Sequence, residues 1–390
     1  MKPLLLVTGL LLLFAIETLR VYFIMPFPGS QQSDTISLAY WLGRNVFWLR
    51  IIALLLIIFP AIGLFKNGRT RAKVVFSLFM ILYAVIFFFI NFRFEADKMF
   101  YQPEQKTFSA AGTNKIDGNK LVIGVEINGE AKAYPIQLIG YHHQVRDSIG
   151  NTQVMITYCT VCRTGRAFSP AVNGKAEEFR LVGMDHFNAM FEDASTKSWW
   201  QQATGVSIAG PLKGTTLKEL PSEQASLNTW LIQYPNSLVM QPDKTFAAKY
   251  EQLVRYDRGN GESSLTKRDS ASWMPKSWVI GVSHDQTSKA YDWNELVKNQ
   301  IISDSLPGLP ILLTLQNDTA SFHAFDRTVK GKVLSFKKSG FDQMKDNDGS
   351  TWNLSGESLD GISKGEKLRK VQSYQEFWHS WKTFHKETLR

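Results

Sequence analysis

Apolar and polar positions follow two different patterns along the chain. Before residue 93 the apolar residues gather into three near-continuous stretches, Pro3 to about Met25, about Val46 to Phe65, and Val74 to Phe92. The last carries no charge over 19 residues, which at helical rise nearly spans the ~30 Å hydrocarbon core of a bilayer. The middle stretch has Pro60 inside and Arg50 near one end, where a long side chain can snorkel to the interface. Glu17 and Arg20 interrupt the first stretch three residues apart, a spacing that pairs them on one helix face. A cleavable signal peptide also starts with a cation before an apolar run, here Lys2. No small-x-small site follows at Glu17-Thr18-Leu19-Arg20, however, and the apolar pattern resumes at Val21, so the first span is expected to be retained.

After residue 117 the pattern changes to short alternating runs separated by turn dipeptides such as Asn128-Gly129 and Asn173-Gly174, which predicts a mainly β region. Laid on itself at an offset of 157, the chain matches Val122-Ile123-Gly124-Val125 with Val279-Ile280-Gly281-Val282 and Lys132-Ala133-Tyr134 with Lys289-Ala290-Tyr291. Ala167-Phe168 meets Ala324-Phe325 at the same offset; after a short deletion the offset becomes 151 and Trp230 falls on Trp381. Such self-similarity marks an internal repeat.

The expected architecture is therefore an α-helical membrane anchor of three spans followed by an α+β, mainly β soluble region of two tandem units. Its divisions are the anchor at 1–92, a linker at 93–117, a first unit at 118–240, a polar linker at 241–274 and a second unit at 275–390. Each unit is expected to close with a helix, clearest where Phe377, Trp378, Trp381 and Phe384 recur at helical spacing. Those aromatics, with Trp199, Trp200 and Trp352, are assigned to the core.

Composition changes this picture in one respect. The net charge of +9 suggests nucleic acid, yet residues 1–92 hold eight Lys or Arg against two acids, leaving the other 298 residues at only +3. The excess belongs to the membrane segment, so the expected partner is the membrane and not a nucleic acid. Four cations in the loop Lys66–Lys73 are expected to stay in the cytoplasm, which places the soluble region on the extracytoplasmic side of the cell (inner) membrane.

Candidate chemistry centres on the only two cysteines, Cys159 and Cys162. They lie between an alternating run (Val154, Ile156, Tyr158) and a second short run (Ala167, Phe168), on a β-turn. The repeat acts as an internal control: Gln316 and Thr319 stand opposite the cysteines, and Asn299 and Gln300 opposite His142 and His143. Chemistry that depends on these residues is confined to the first unit.

The run Ile156-Thr157-Tyr158-Cys159-Thr160-Val161-Cys162-Arg163-Thr164-Gly165 follows Ala133-Tyr134-Pro135 and precedes Ser198-Trp199-Trp200-Gln201 and Gly205-Val206-Ser207-Ile208-Ala209-Gly210-Pro211. Over most of 118–290 this ordered set resembles the family named domain of unknown function 3179. That family is bacterial and archaeal, without an established activity, and some members carry selenocysteine at the redox-type site. Thr160 stands where proline is common, and the three-span anchor is an addition. The resemblance implies a reactive or metal-binding Cys-x-x-Cys and supplies no substrate.

Three uses of the pair remain open. As soft ligands, Cys159 and Cys162 would bind copper or zinc with help from His186, His142, His143 or Met184, and Asp185 could orient His186. As a catalytic pair they would make the protein a thiol-disulfide oxidoreductase, with Arg163 and Arg166 stabilising a thiolate because no helix follows the turn. The third use is a structural disulfide or pair of buried thiols in a non-catalytic binding module. His284, His323, His379 and His385 are assigned to the surface or a satisfied core, and Glu192 and Asp193 to a turn. Phosphate loops, nucleophile elbows and zincin motifs do not occur in the sequence.

Overall fold

The computed structural model describes residues 2–390, which divide into two compact units. The first unit holds the described residues through Tyr101 together with Glu177–Gln201 and Val206–Thr216. Its three long helices, α1 (Lys2–Tyr22), α2 (Ile36–Asn67) and α3 (Thr70–Phe92), are each apolar enough to cross a membrane. Most of their large apolar side chains face outward, as a lipid-facing surface requires. Gly9 lets α1 approach α2 closely, because a Cβ there would meet Ile57 Cγ1 at 2.6 Å and the Ala53 carbonyl at 2.9 Å.

Two expectations for these helices are corrected. Helix α2 begins at Ile36, nearly three turns before Val46, because Ala39 and Leu42 bury on one face while Arg44 and Asn45 lower the local hydropathy. Arg50 does not snorkel. Its Nε and Nη2 donate to the two oxygens of buried Glu17 at 2.6 and 2.8 Å, and Tyr83 and Asn91 complete that carboxylate's shell. A charged pair in apolar surroundings is stable only when its remaining hydrogen-bonding groups are matched, and here they are. Arg20 pairs with Glu17 at 3.4 Å, as their spacing implied.

The same unit contains an antiparallel sheet of Phe179–Asp185, Asn188–Asp193, Trp199–Gln201 and Ser207–Ala209. Val182, Met190, Trp199 and Ala209 pack on Phe23, Ile24, Ile36, Ala39 and Tyr40. Glu192 and Asp193 lie in a strand here, not in a turn; they accept from the indole nitrogens of Trp199 and Trp200 at 3.0 and 2.9 Å.

The second unit comprises Gln102–Ala176, Gln202–Gly205 and Leu217–Arg390. It is built of antiparallel hairpins, except that Leu238–Met240 runs parallel to Glu130–Pro135. The succession strand, strand, short helix and three strands occurs over Leu121–Phe168 and over Trp278–Asp326. Pairing follows suit: Gly124 opposes Ala133 and Met155 opposes Phe168, while Gly281 opposes Ala290 and Leu312 opposes Phe325. Each segment then ends in a seven-residue helix, Leu227–Gln233 and Trp378–Phe384.

Trp230 and Trp381, on those two helices, lie flat against the missing side chains of Gly124 and Gly281. A Cβ would fall 2.4 Å from Trp230 at Gly124 and 2.1 Å from Trp381 at Gly281. Both tryptophans are buried. Gly281→Val is expected to force Trp381 outward and destabilise the chain by about 1–3 kcal/mol, the usual penalty for overpacking a tight contact. Denaturant melting of the purified chain, followed by tryptophan fluorescence, measures the loss.

Candidate functional site

The thiol loop closes a hairpin between Thr152–Cys159 and Thr164–Phe168, with Cys159 directly opposite Thr164. Arg163 takes a left-handed backbone (φ 58°), which turns the chain back into the second strand within four residues. Both Cys159 and Cys162 are thiols and both are wholly buried. They are hydrogen-bonded to each other, and Ser380 also hydrogen-bonds Cys162.

The cover over this loop comes from distant sequence. The amide of Phe377 donates to the Cys162 carbonyl at 3.0 Å. Tyr256 Oη donates to the Thr160 carbonyl at 2.9 Å, and Lys276 Nζ to the Val161 carbonyl at 2.6 Å. His379 Nε2 lies 3.1 Å from Lys276 Nζ and 3.2 Å from the same Val161 carbonyl. Arg163 is fully buried: Nε donates to Gln375 Oε1 at 2.8 Å and Nη2 to the Asp257 carbonyl at 3.3 Å, with the guanidinium 3.9 Å from the Trp278 ring centre. Arg166 is paired with Glu376 and lies 3.4 Å over the Tyr374 ring.

Burial governs the electrostatics. It pushes the Cys162 thiol well above its ordinary range, and the bond from Cys159 pushes the same way; Ser380 and the Lys276 charge oppose weakly. Lys276 moves in the opposite direction, down, again through burial, with both thiols resisting. His379 is pushed down to about 4 by burial and by Lys276, against the Val161 carbonyl. The cation beside the thiols is thus Lys276, not Arg163 or Arg166 as the sequence suggested; the two arginines are engaged by Gln375 and Glu376.

The proposed ligands are placed as follows. His142 ends the helix Ile136–His142 and its Nε2 shares a 2.6 Å hydrogen bond with Tyr250 Oη. His143 is the left-handed cap of that helix, its Nδ1 3.1 Å from the Tyr141 carbonyl, and burial pushes it down to about 4. The pair therefore lies at a helix end. His186 and Met184 belong to the first unit. His186 occupies the two-residue turn of a hairpin, with Nδ1 2.6 Å from Asp185 Oδ1 and Nε2 3.5 Å from Asp34. Asp185 does orient that imidazole and also accepts from Gln201 at 2.5 Å. Met184 sits in the strand Phe179–Asp185, its amide donating to the Ile24 carbonyl at 2.7 Å. Among the described residues no group of three or more His, Cys, Asp or Glu is gathered as a metal centre would need.

Sequence reasoning missed Lys276, Tyr256, His379 and Ser380. His379 and Ser380 sit between Trp378 and Trp381 on a buried seven-residue helix, and two polar residues so placed were the available signal.

A protein-family model described as "Protein of unknown function (DUF3179)" matches residues 101–388. Neither the curated proteins nor the solved structures gave a match.

The three histidines His143, His379 and His385 are each buried enough to be pushed down to about 4. Unfolding lets them take up protons near 6.5, so the unfolded state binds more protons between about pH 6.5 and 4. Stability is expected to be full above that window and to fall as pH drops through it. His379→Gln should flatten the decline in melting temperature, measured between pH 7 and 4 by ~calorimetric scans.

Proposed function

The chain belongs to the DUF3179 family of proteins of unknown function, and from that premise we propose that it is a membrane-anchored protein whose Cys159 and Cys162 cycle between dithiol and disulfide. The observation that carries this reading is a pair of wholly buried free thiols on one tight turn, with Lys276 Nζ on the carbonyl of Val161, which lies between them in sequence. A disulfide requires two sulfurs that a small rotation brings together, and a positive neighbour favours the first thiolate.

In the exchange, Cys162 loses its proton, the Lys276 charge favours the thiolate, and the thiolate attacks a partner's disulfide. One partner sulfur leaves as a thiolate and a mixed disulfide forms. Cys159, deprotonated in turn, attacks the Cys162 sulfur, closing the Cys159–Cys162 bond and releasing the partner as a dithiol. Two electrons pass from this chain to the partner in that direction, and the reverse sequence returns them.

On this reading the soluble region lies outside the cytoplasm, supported by the four cations of the Lys66–Lys73 loop between two apolar helices. The β-rich segments 118–240 and 275–390 are copies of one unit, supported by the shared 157-residue spacing of their paired strands. Only the first copy keeps the thiols.

Titration of the full chain in detergent with glutathione buffers of graded potential is expected to show a two-electron transition, read as loss of two alkylatable thiols in the unfolded digest. Cys162→Ser should abolish it, and Lys276→Met should move the alkylation rate of the native protein to higher pH. Absence of an intramolecular disulfide at every potential overturns the reading. So does stoichiometric copper(I) held by the two sulfurs that blocks oxidation, which would make the pair a metal carrier.

A further inference from the structure

One end of the membrane bundle holds two adjoining cavities of opposite character, both within the first unit. Helices α1 and α3 end there and α2 begins there, beside the sheet that packs on Ile24, Ile36 and Tyr40. The 32 residues of α2 rise ~48 Å, well beyond the ~30 Å hydrocarbon core of a bilayer. Its first turns, with Tyr40 and the exposed Trp41, therefore reach the level of the lipid headgroups, where such aromatics gather.

The first cavity, about 190 Å³, lies at that level and carries Arg20, Arg44, Arg180 and Lys197 against Glu95 and Glu192. Glu95 accepts from Arg20 Nη1 at 3.4 Å, and Glu192 from Arg180 Nε at 2.9 Å. Asp97, off the wall, also reaches Arg180 at 3.4 Å, and Glu17 reaches Arg20 while it engages Arg50. Each acid of the wall thus has its cation. The side chains of Arg44 and Lys197 have neither a hydrogen bond nor an ion pair among the described residues. Two unmatched cations on the wall of one cavity call for an anion with several acceptor oxygens.

The second cavity, about 520 Å³, is a groove between α1 and α3 that meets the first at Val21 and Phe94, which line both. Val85, Ile86, Phe89 and Ile90 form its α3 wall. The hydroxyls of Thr18 and Tyr22 on this groove donate to the carbonyls of Phe14 and Pro28 at 2.8 and 2.9 Å, so neither has a proton left for an occupant. The groove accepts hydrocarbon and nothing polar.

We propose that the two cavities together hold one anionic phospholipid, its phosphate between Arg44 and Lys197 and an acyl chain in the groove of α1 and α3. A zwitterionic lipid would bring its own ammonium beside those cations, and a neutral lipid would leave both unmatched. Arg44 belongs to α2, and Lys197 to the turn between the strands Asn188–Asp193 and Trp199–Gln201, so the phosphate also ties the sheet to the anchor. The proposal does not depend on the thiol chemistry.

Native mass spectrometry of the full chain, delipidated in a neutral detergent and titrated with dioleoyl phosphatidylglycerol or dioleoyl phosphatidylcholine, tests it. One phosphatidylglycerol is expected to bind about tenfold or more (~1.4 kcal/mol) more tightly than phosphatidylcholine. The double variant Arg44→Gln/Lys197→Gln should bring the two lipids to within about twofold of each other. Neither side chain has a partner to lose, so that variant is expected to keep its melting temperature. Lys66→Gln/Arg69→Gln, at the opposite end of the helices, should leave the preference intact. Ile86→Trp, which fills the groove without altering charge, should weaken phosphatidylglycerol about tenfold. No preference in the wild type overturns the proposal, as does a preference that survives Arg44→Gln/Lys197→Gln or an affinity that Ile86→Trp leaves unchanged. Displacement of phosphatidylglycerol by equimolar inorganic phosphate overturns it in favour of a soluble phosphate ligand.

Discussion

The guanidinium of Arg163 holds together three stretches that are far apart in sequence. It lies over Trp278, which opens the second β-rich segment, and donates to Gln375 near that segment's end and to the carbonyl of Asp257 in the intervening stretch. Gln375 Oε1 also accepts from Gln224 at 2.9 Å, so one amide oxygen serves both segments. A buried cation needs its donors matched and its charge spread over polarisable or dipolar neighbours. A planar, five-donor group can meet that need with a ring face, an amide and carbonyls, whereas an ammonium at the same place could not. The left-handed conformation of Arg163 is what closes the thiol turn. The residue that positions the cysteines is thus the residue that seats their cover.

That cover explains why Cys162 and Lys276 are displaced toward their neutral forms together. In a dry site the neutral thiol and neutral amine are favoured over thiolate and ammonium, because desolvating two charges outweighs their attraction unless the geometry is supported by further hydrogen bonds. The Val161 carbonyl supplies one such bond to Lys276. Admitting water by displacing the segment around Phe377 to Ser380 would relieve the desolvation of both groups at once. A thiolate then forms where a partner can reach it and is suppressed where none can. Burial on this account restrains the proposed exchange and does not argue against it.

The membrane helices were legible because uninterrupted apolar runs have few other uses, and the hairpins because alternation and Asn-Gly turns are local signals. The thiol turn was legible for the same reason. What surrounds it was not: Tyr256, Lys276, His379 and Ser380 approach from about a hundred or more positions away, and no local pattern encodes such contacts. The setting of the two histidines carried no local signal: Ile136–His142 is a single helical turn or two with His143 as its left-handed cap. Asp292 caps the corresponding helix Trp293–Asn299 through its side chain, a start signal the first helix lacks because Pro135 precedes it. Arg50 was misjudged because a hydropathy profile shows a charge but not its partner on another helix, here Glu17.

The two turns at the ends of the long central hairpins show what the fold itself requires. At the first, the amide of Phe377, which precedes the helix Trp378–Phe384, donates to the Cys162 carbonyl. At the second, the amide of Ser226, which precedes the helix Leu227–Gln233, donates to Ser321 Oγ at 2.8 Å. Each turn therefore receives the amide just before the other segment's closing helix. The second turn is rigidified by Asp318, whose carboxylate accepts from the amides of Ala320 and Ser321 and from the hydroxyls of Ser226 and Thr229. Docking a helix start against a hairpin turn is thus accomplished with one carboxylate and a few hydroxyls, and no sulfur. If closure were the only task at the first turn, the same polar solution would serve there. The cysteines instead occupy a turn whose docking bond uses only the Cys162 backbone, which leaves both sulfurs available for chemistry the fold does not need.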